Sequence, residues 1–125
     1  PPPSYRLAVD GCSRAQETVK CTDDDLTIIS DNGDVGTNGG YACLAPDDAR
    51  AGIRCCNYGD TGGDSYCEGD TQLCKSYSFY EANATCASYN KRLCTSAELF
   101  DNRLCESGCD YDHAYVWTSN VCVPD

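Results

Sequence analysis

The chain has 125 residues and a formal net charge of −11, with 20 acidic residues against nine basic ones and a sequence pI near 4.2. That balance argues against nucleic acid and anionic membrane surfaces as partners, because both recruit basic patches. No apolar run approaches the roughly 20 residues needed to span a bilayer, so no membrane span is expected.

Twelve cysteines are spread over the whole chain: Cys12, Cys21, Cys43, Cys55, Cys56, Cys67, Cys74, Cys86, Cys94, Cys105, Cys109 and Cys122. There is no C-x-x-C pair, and His113 is the one histidine. The tight four-ligand spacings of structural zinc sites are therefore missing. Disulfides are the expectation, and with them an oxidising, extracellular compartment. A chain opening on proline rather than Met is expected to have lost a leader, or to be one module of a longer protein.

Pro1, Pro2, Pro3 and Ser4 begin a proline-rich extended arm over residues 1–5, with little entropy left to lose on docking. It reads either as a linker to a neighbouring module or as an arm that carries glycans or lies on another copy. Residues 6–125 are expected to form a single disulfide-stapled domain. "YRLAVDGC" alternates as a strand, and "DLTIIS" is a second β-rich run. "DNGDVGTNGGYAC" reads as a long Gly-rich loop. "AGIRCC" reads as a short buried strand on which Cys55 and Cys56 face opposite ways, so they should bridge to different partners. "NYGDTGGDSYCEGD" reads as loop again.

Ser78 followed by Glu81 is a capping box, and Phe79, Ala82, Cys86 and Tyr89 fall on one helical face. "KRLC" is a short extended break. Thr95 followed by Glu98 is a second capping box, predicting a helix through about Asn102. "CESGCDYDH" reads as a cross-linked loop and "AYVWTS" as a strand ending near Cys122. The predicted fold class is a small disulfide-rich α+β domain, with two short central helices packed on short antiparallel strands.

Candidate chemistry is sparse. His113 follows two acidic residues, Asp110 and Asp112, but no nucleophile motif accompanies it, and the pattern suits a solvated turn. No catalytic residue is assigned and no enzyme is expected. Acidic groups recur at Asp23, Asp24, Asp25, Asp31, Asp34, Asp60, Asp64, Glu68 and Asp70. None follows the EF-hand spacing; turn chemistry and solubility account for them, so no metal or cofactor is assigned. Asn83-Ala84-Thr85 is an N-glycosylation acceptor. Of nine tyrosines, Tyr77, Tyr80 and Tyr89 crowd the first helix and some must be core. Tyr58, Tyr66, Tyr111 and Tyr115 are the better surface candidates, as sugar platforms or interfaces.

"GIRCC", "SFYEANATCASYNKRLCTSAEL" and "CESGCDYDHAYVWTS" together resemble an uncharacterised cysteine-rich extracellular domain of diatoms and other microalgae. The motifs recur in one order: an RCC strand, an EA-x-x-x-C helix, RLCT-x-x-EL, GC-x-x-D and VWTS. The likeness covers residues 52–120. More distantly, the pattern is similar to the C-type-lectin-like and formylglycine-generating-enzyme folds, circularly permuted because "GIRCC" precedes the helix. In those folds the helix cysteine bridges to a core strand, which implies a bond from Cys86 to Cys55 or Cys56. The Glu-Pro-Asn, Gln-Pro-Asp and Trp-Asn-Asp motifs of calcium-dependent sugar binding are missing, and no reactive cysteine pair is identified. The resemblance thus implies a scaffold and transfers no active site.

Two functional expectations follow. The first is a secreted structural glycoprotein module of an algal cell surface or matrix, self-assembling head-to-tail into filaments. The second is a lectin-like module that binds glycans or a surface partner. Glycosylation is expected at Asn83 and, by analogy with algal proline tracts, at Pro1, Pro2, Pro3 and Ser4. Partners are other copies of the chain and glycans.

Overall fold

The computed structural model describes residues 5–12, 41–67, 77–109, 111 and 114–121. In chain order these form β1 (Arg6–Asp10), β2 (Tyr41–Leu44), β3 (Ile53–Cys56), β4 (Gly63–Tyr66), α1 (Phe79–Ser88), β5 (Arg92–Leu93), α2 (Ser96–Phe100) and β6 (Tyr115–Val121). The strands make two antiparallel three-stranded sheets, ordered β2-β1-β6 and β4-β3-β5. This is a small disulfide-rich α+β domain. No helix among the described residues is long and apolar enough to cross a membrane.

Both helices begin and end by the same devices. Ser78 caps α1 with its hydroxyl on the Glu81 N–H, while the Glu81 carboxylate takes the Ser78 N–H. Thr95 and Glu98 repeat the arrangement on α2. Four N-terminal N–H groups lack intrahelical partners, and each box satisfies two donors reciprocally. At the other end, Asn90 and Asn102 each adopt a left-handed conformation with φ 60°. Asn tolerates that region better than most residues. Asn90 N–H then bonds the Ala87 carbonyl and Lys91 N–H the Cys86 carbonyl, which closes α1 as a Schellman turn.

Strand β3 is the centre of the packing. All four of its residues are buried, and alternation sends them to two sides. Ile53 and Cys55 join a core with Ala8, Leu44, Phe79, Ala82, Cys86, Leu93 and Trp117. Cys56 joins a second core with Val9, Cys94, Leu99, Leu104, Tyr111 and Val116. Helix α1 lies on β3 and β5, and α2 on β1 and β6.

The two sheets are stitched at Gly52, which donates to the Tyr115 carbonyl at 2.9 Å and accepts from the Trp117 N–H at 3.0 Å. A Cβ at Gly52 would run into the Tyr111 ring, so the close approach of backbone and ring requires glycine. Trp117 is fixed by an edge contact to Phe79, with centroids 5.9 Å apart, and by its indole N–H on the Tyr77 carbonyl at 2.7 Å.

Several sequence-based expectations are corrected. Residues Tyr41–Leu44 were expected to lie mostly in a loop and form β2; residues Gly63–Tyr66, likewise expected in a loop, form β4. Strand β4 pairs through its backbone with the buried β3, although its own residues carry little hydrophobic pattern. Helix α2 stops at Phe100, with Asp101 as its cap, because Asn102 has already left helical geometry. Tyr89 is not a core residue of α1 but its C-cap, and it is exposed. The "DLTIIS" run lies outside the described residues.

Candidate functional site

Adjacent cysteines on β3 staple both cores. Cys55 bonds Cys86 on α1, and Cys56 bonds Cys94 just before α2. Of the two partners left open for Cys86, the structure has Cys55. Cys12–Cys105 and Cys67–Cys109 tie the loop between α2 and β6 to the end of β1 and the segment after β4. Cys43 is disulfide-bonded as well, and no described cysteine is free. In the chain-entropy account, closing loops of these lengths stabilises by about 4–5 kcal/mol each.

Beside this frame sits a buried arginine whose role the sequence did not announce. Arg54 is fully buried on the same face of β3 as Cys56. Its Nε donates to Ser65 Oγ at 2.9 Å, Nη1 to the Gly11 carbonyl at 2.6 Å and Nη2 to the Gly108 carbonyl at 3.5 Å. The guanidinium carbon lies 5.8 Å from the Tyr111 ring centroid. One planar fork thus joins β4, the end of β1 and the loop after α2, a geometry that a lysine ammonium does not reproduce. The Tyr111 hydroxyl donates to the Tyr66 carbonyl at 2.9 Å, and burial pushes its phenol up to about 12.

The concave feature on the other side is a groove of about 580 Å³. Its lining includes Arg6, Phe79, Asn83, Arg92, Glu98 and Arg103, with Leu93, Thr95 and Ser119 completing the wall. Glu98 is its electrostatic hub. The carboxylate takes both Arg92 terminal nitrogens at 2.7 Å, the Thr95 N–H at 2.8 Å and Arg103 Nη1 at 3.4 Å. The Arg92 hydrogen bonds, more than any other cause, hold it at about 2, well below the usual carboxylate range. Arg103 also reaches Asp101 at 3.2 Å. Arg6 differs: its guanidinium lies 4.0 Å over the Phe79 ring, and it makes no ion pair among the described residues.

An irregularity in β6 builds the far wall. The register with β1 shifts between Arg6, opposite Val121, and Ala8, opposite Trp117. The Thr118 hydroxyl donates to the Leu7 carbonyl at 2.8 Å, the Ser119 N–H donates to the Cys94 carbonyl, and the Asn120 side-chain oxygen accepts from the Ser96 N–H at 2.8 Å. Such bulges re-aim side chains next to binding sites, and here one turns Ser119 into the groove.

Asn83, the sequon residue, is exposed on α1 and lines this groove; Thr85 is half-buried. Among the acidic candidates, Asp60 accepts from Asn57 and the Gly62 N–H within its own turn, with the Asn57 bond foremost in holding its carboxyl low. Asp64 pairs with Lys91 at 3.0 Å. Cys56, Cys94 and Glu98 bring their ligand atoms within 4.8 Å of one another, but both sulfurs are tied up in their mutual disulfide, so the trio offers one carboxylate rather than a ligand set. Pro1, Pro2, Pro3, Ser4, Cys21, Cys74, Cys122, Asp110, Asp112 and His113 lie outside the described residues, as do the acidic residues at 23–25, 31, 34, 68 and 70.

The tyrosine assignments are largely reversed. Tyr111 and Tyr115, expected at the surface, are buried core residues at 0% and 2% exposure. Tyr66 is partly buried and stacks on Tyr89 at 4.3 Å. Tyr58 is exposed, but so are Tyr80 and Tyr89 from the helix group. No family model, no curated protein and no solved structure matches the chain.

Proposed function

We propose that this chain is a secreted structural glycoprotein module of an algal cell surface or extracellular matrix, assembling head-to-tail with copies of itself into filaments. The observation that carries the reading is the pair of adjacent cysteines on β3, each cross-linking a different core. Such a frame suits a place where no chaperone repairs damage and thiols stay oxidised. The motif order shared with the microalgal extracellular domain supports the setting. The exposed acceptor Asn83 supports the glycoprotein reading, and exposed Tyr5 sits at the root of the proline arm that would dock on the next copy. Electron microscopy of native material with its glycans intact tests it. Regular filaments with a repeat near one domain diameter are expected; dispersed single particles contradict assembly.

A second reading, a glycan-binding module, is favoured by the groove at Arg6, Asn83 and Arg103. A concave site of this size with convergent polar groups is typical of small-ligand sites.

A further inference from the structure

The groove combines three kinds of lining. The lining holds three guanidinium groups, Arg6, Arg92 and Arg103, against the carboxylate of Glu98, with Asp101 paired to Arg103 beside it, so among the described residues positive charge is in slight excess along this wall of a chain whose net charge is −11. Asn83, Thr95 and Ser119 supply neutral hydrogen-bonding groups, while Phe79 and Leu93 supply apolar surface. Arg92 is committed to Glu98 through two 2.7 Å bonds. Arg103 is held more loosely, at 3.4 Å from Glu98 and 3.2 Å from Asp101. Arg6 rests on Phe79, which fixes its position, and no carboxylate among the described residues pairs with its N–H fork. A guanidinium placed this way matches a planar carboxylate, which can accept two parallel N–H bonds. Hydroxyl and amide groups beside it suit the hydroxyls of a sugar ring, and the apolar strip suits a ring face.

We propose that this groove binds a saccharide bearing carboxylate groups, a uronic-acid segment, with Arg6 as the principal carboxylate anchor and Arg103 as its second. The proposal rests on the glycan-binding reading and names its ligand class. An acidic sugar suits the groove better than an acidic peptide does. The lining mixes charge with neutral hydrogen-bond groups, whereas a run of Asp or Glu would seek a continuous basic stripe. Asn83 on the rim adds a consequence: a glycan attached there stands at the mouth of the groove and hinders entry of a free chain.

The test is calorimetric titration of the Thr85→Ala protein, which lacks the sequon but keeps the Asn83 amide, with a trimer of galacturonic acid and with its neutral methyl ester. The acid trimer is expected to bind in the sub-millimolar range (~0.1–1 mM), and the ester at least about tenfold more weakly. Adding Arg6→Gln should weaken the acid trimer by about tenfold, and adding Arg103→Gln by a smaller factor, with near-ultraviolet circular dichroism unchanged. Adding Arg50→Gln removes the same charge away from the groove and should leave binding as it was. Equal binding of acid and ester overturns the acidic specificity but leaves the glycan-binding reading standing. Binding that Arg6→Gln and Arg50→Gln weaken alike overturns the groove as the site. Binding of an oligo-aspartate peptide but of neither trimer overturns the proposal in favour of a protein partner. If none of the three probes binds, the proposal fails, and a screen of neutral glycans then decides the parent reading separately.

Discussion

Cys55 and Cys56 are neighbours in sequence, yet their disulfides point into different cores, to Cys86 on α1 and to Cys94 ahead of α2. The alternation of a β-strand makes this possible. A four-residue strand thereby fixes both helices, and β5 between them, to one sheet. The frame does not depend on a large apolar interior, which suits a chain with a mean hydropathy of −0.50.

Removing either staple should therefore cost a similar amount. The double variants Cys55→Ser/Cys86→Ser and Cys56→Ser/Cys94→Ser are each expected to lose about 4 kcal/mol in denaturant unfolding. A loss confined to one pair would show that the other core holds without its bond.

Glu98 serves the α2 capping box and the Arg92 fork with one carboxylate. Glu98→Gln keeps an amide oxygen for the Thr95 N–H but gives up the Arg92 ion pair, and should destabilise the fold by about 1 kcal/mol. The pH dependence has a definite sign. Its folded pKa, about 2, lies below the ordinary 4.5, so the unfolded chain binds the proton more readily. The stabilisation is present above pH 4.5 and is lost as pH falls toward 2. Acid unfolding of the wild type should show this fall, and Glu98→Gln should flatten it.

Arg54 tests whether its fork geometry matters or only its charge. Arg54→Met keeps the stem volume but leaves the Gly11 carbonyl and Ser65 hydroxyl without their donor, which should cost about 2–4 kcal/mol. Arg54→Lys should recover less than half of the loss in a thermal melt, because one ammonium cannot reach β4, Gly11 and Gly108 together.

Gly52 holds the seam between the sheets. Gly52→Ala places a methyl group against the Tyr111 ring, and a loss of about 1–3 kcal/mol is expected from the forced shift. An unchanged melting temperature would mean that the ring moves aside freely.

The helices were legible because their signals are local. Ser78 with Glu81 and Thr95 with Glu98 lie three residues apart, and the structure uses both boxes. Strands β2 and β4 were not legible. Gly63–Tyr66 has one large apolar side chain, and what makes it a strand is the backbone of β3 beside it. Tyr111 read as a surface candidate, yet the Arg54 fork and the Gly52 seam close over its ring. Arg54 carried a weak signal, a basic residue inside an apolar strand with two cysteines. The groove carried none: its lining comes from residue 6, the 79–103 region and residue 119, and only the fold brings them together.

The disulfide frame underlies both functional readings, and its connectivity is the most direct thing to measure. Non-reducing peptide mapping, with fragmentation between Cys55 and Cys56 because no protease cuts there, should return Cys55–Cys86 and Cys56–Cys94. Cys55 paired with Cys94, or Cys55 paired with Cys56, would contradict the account.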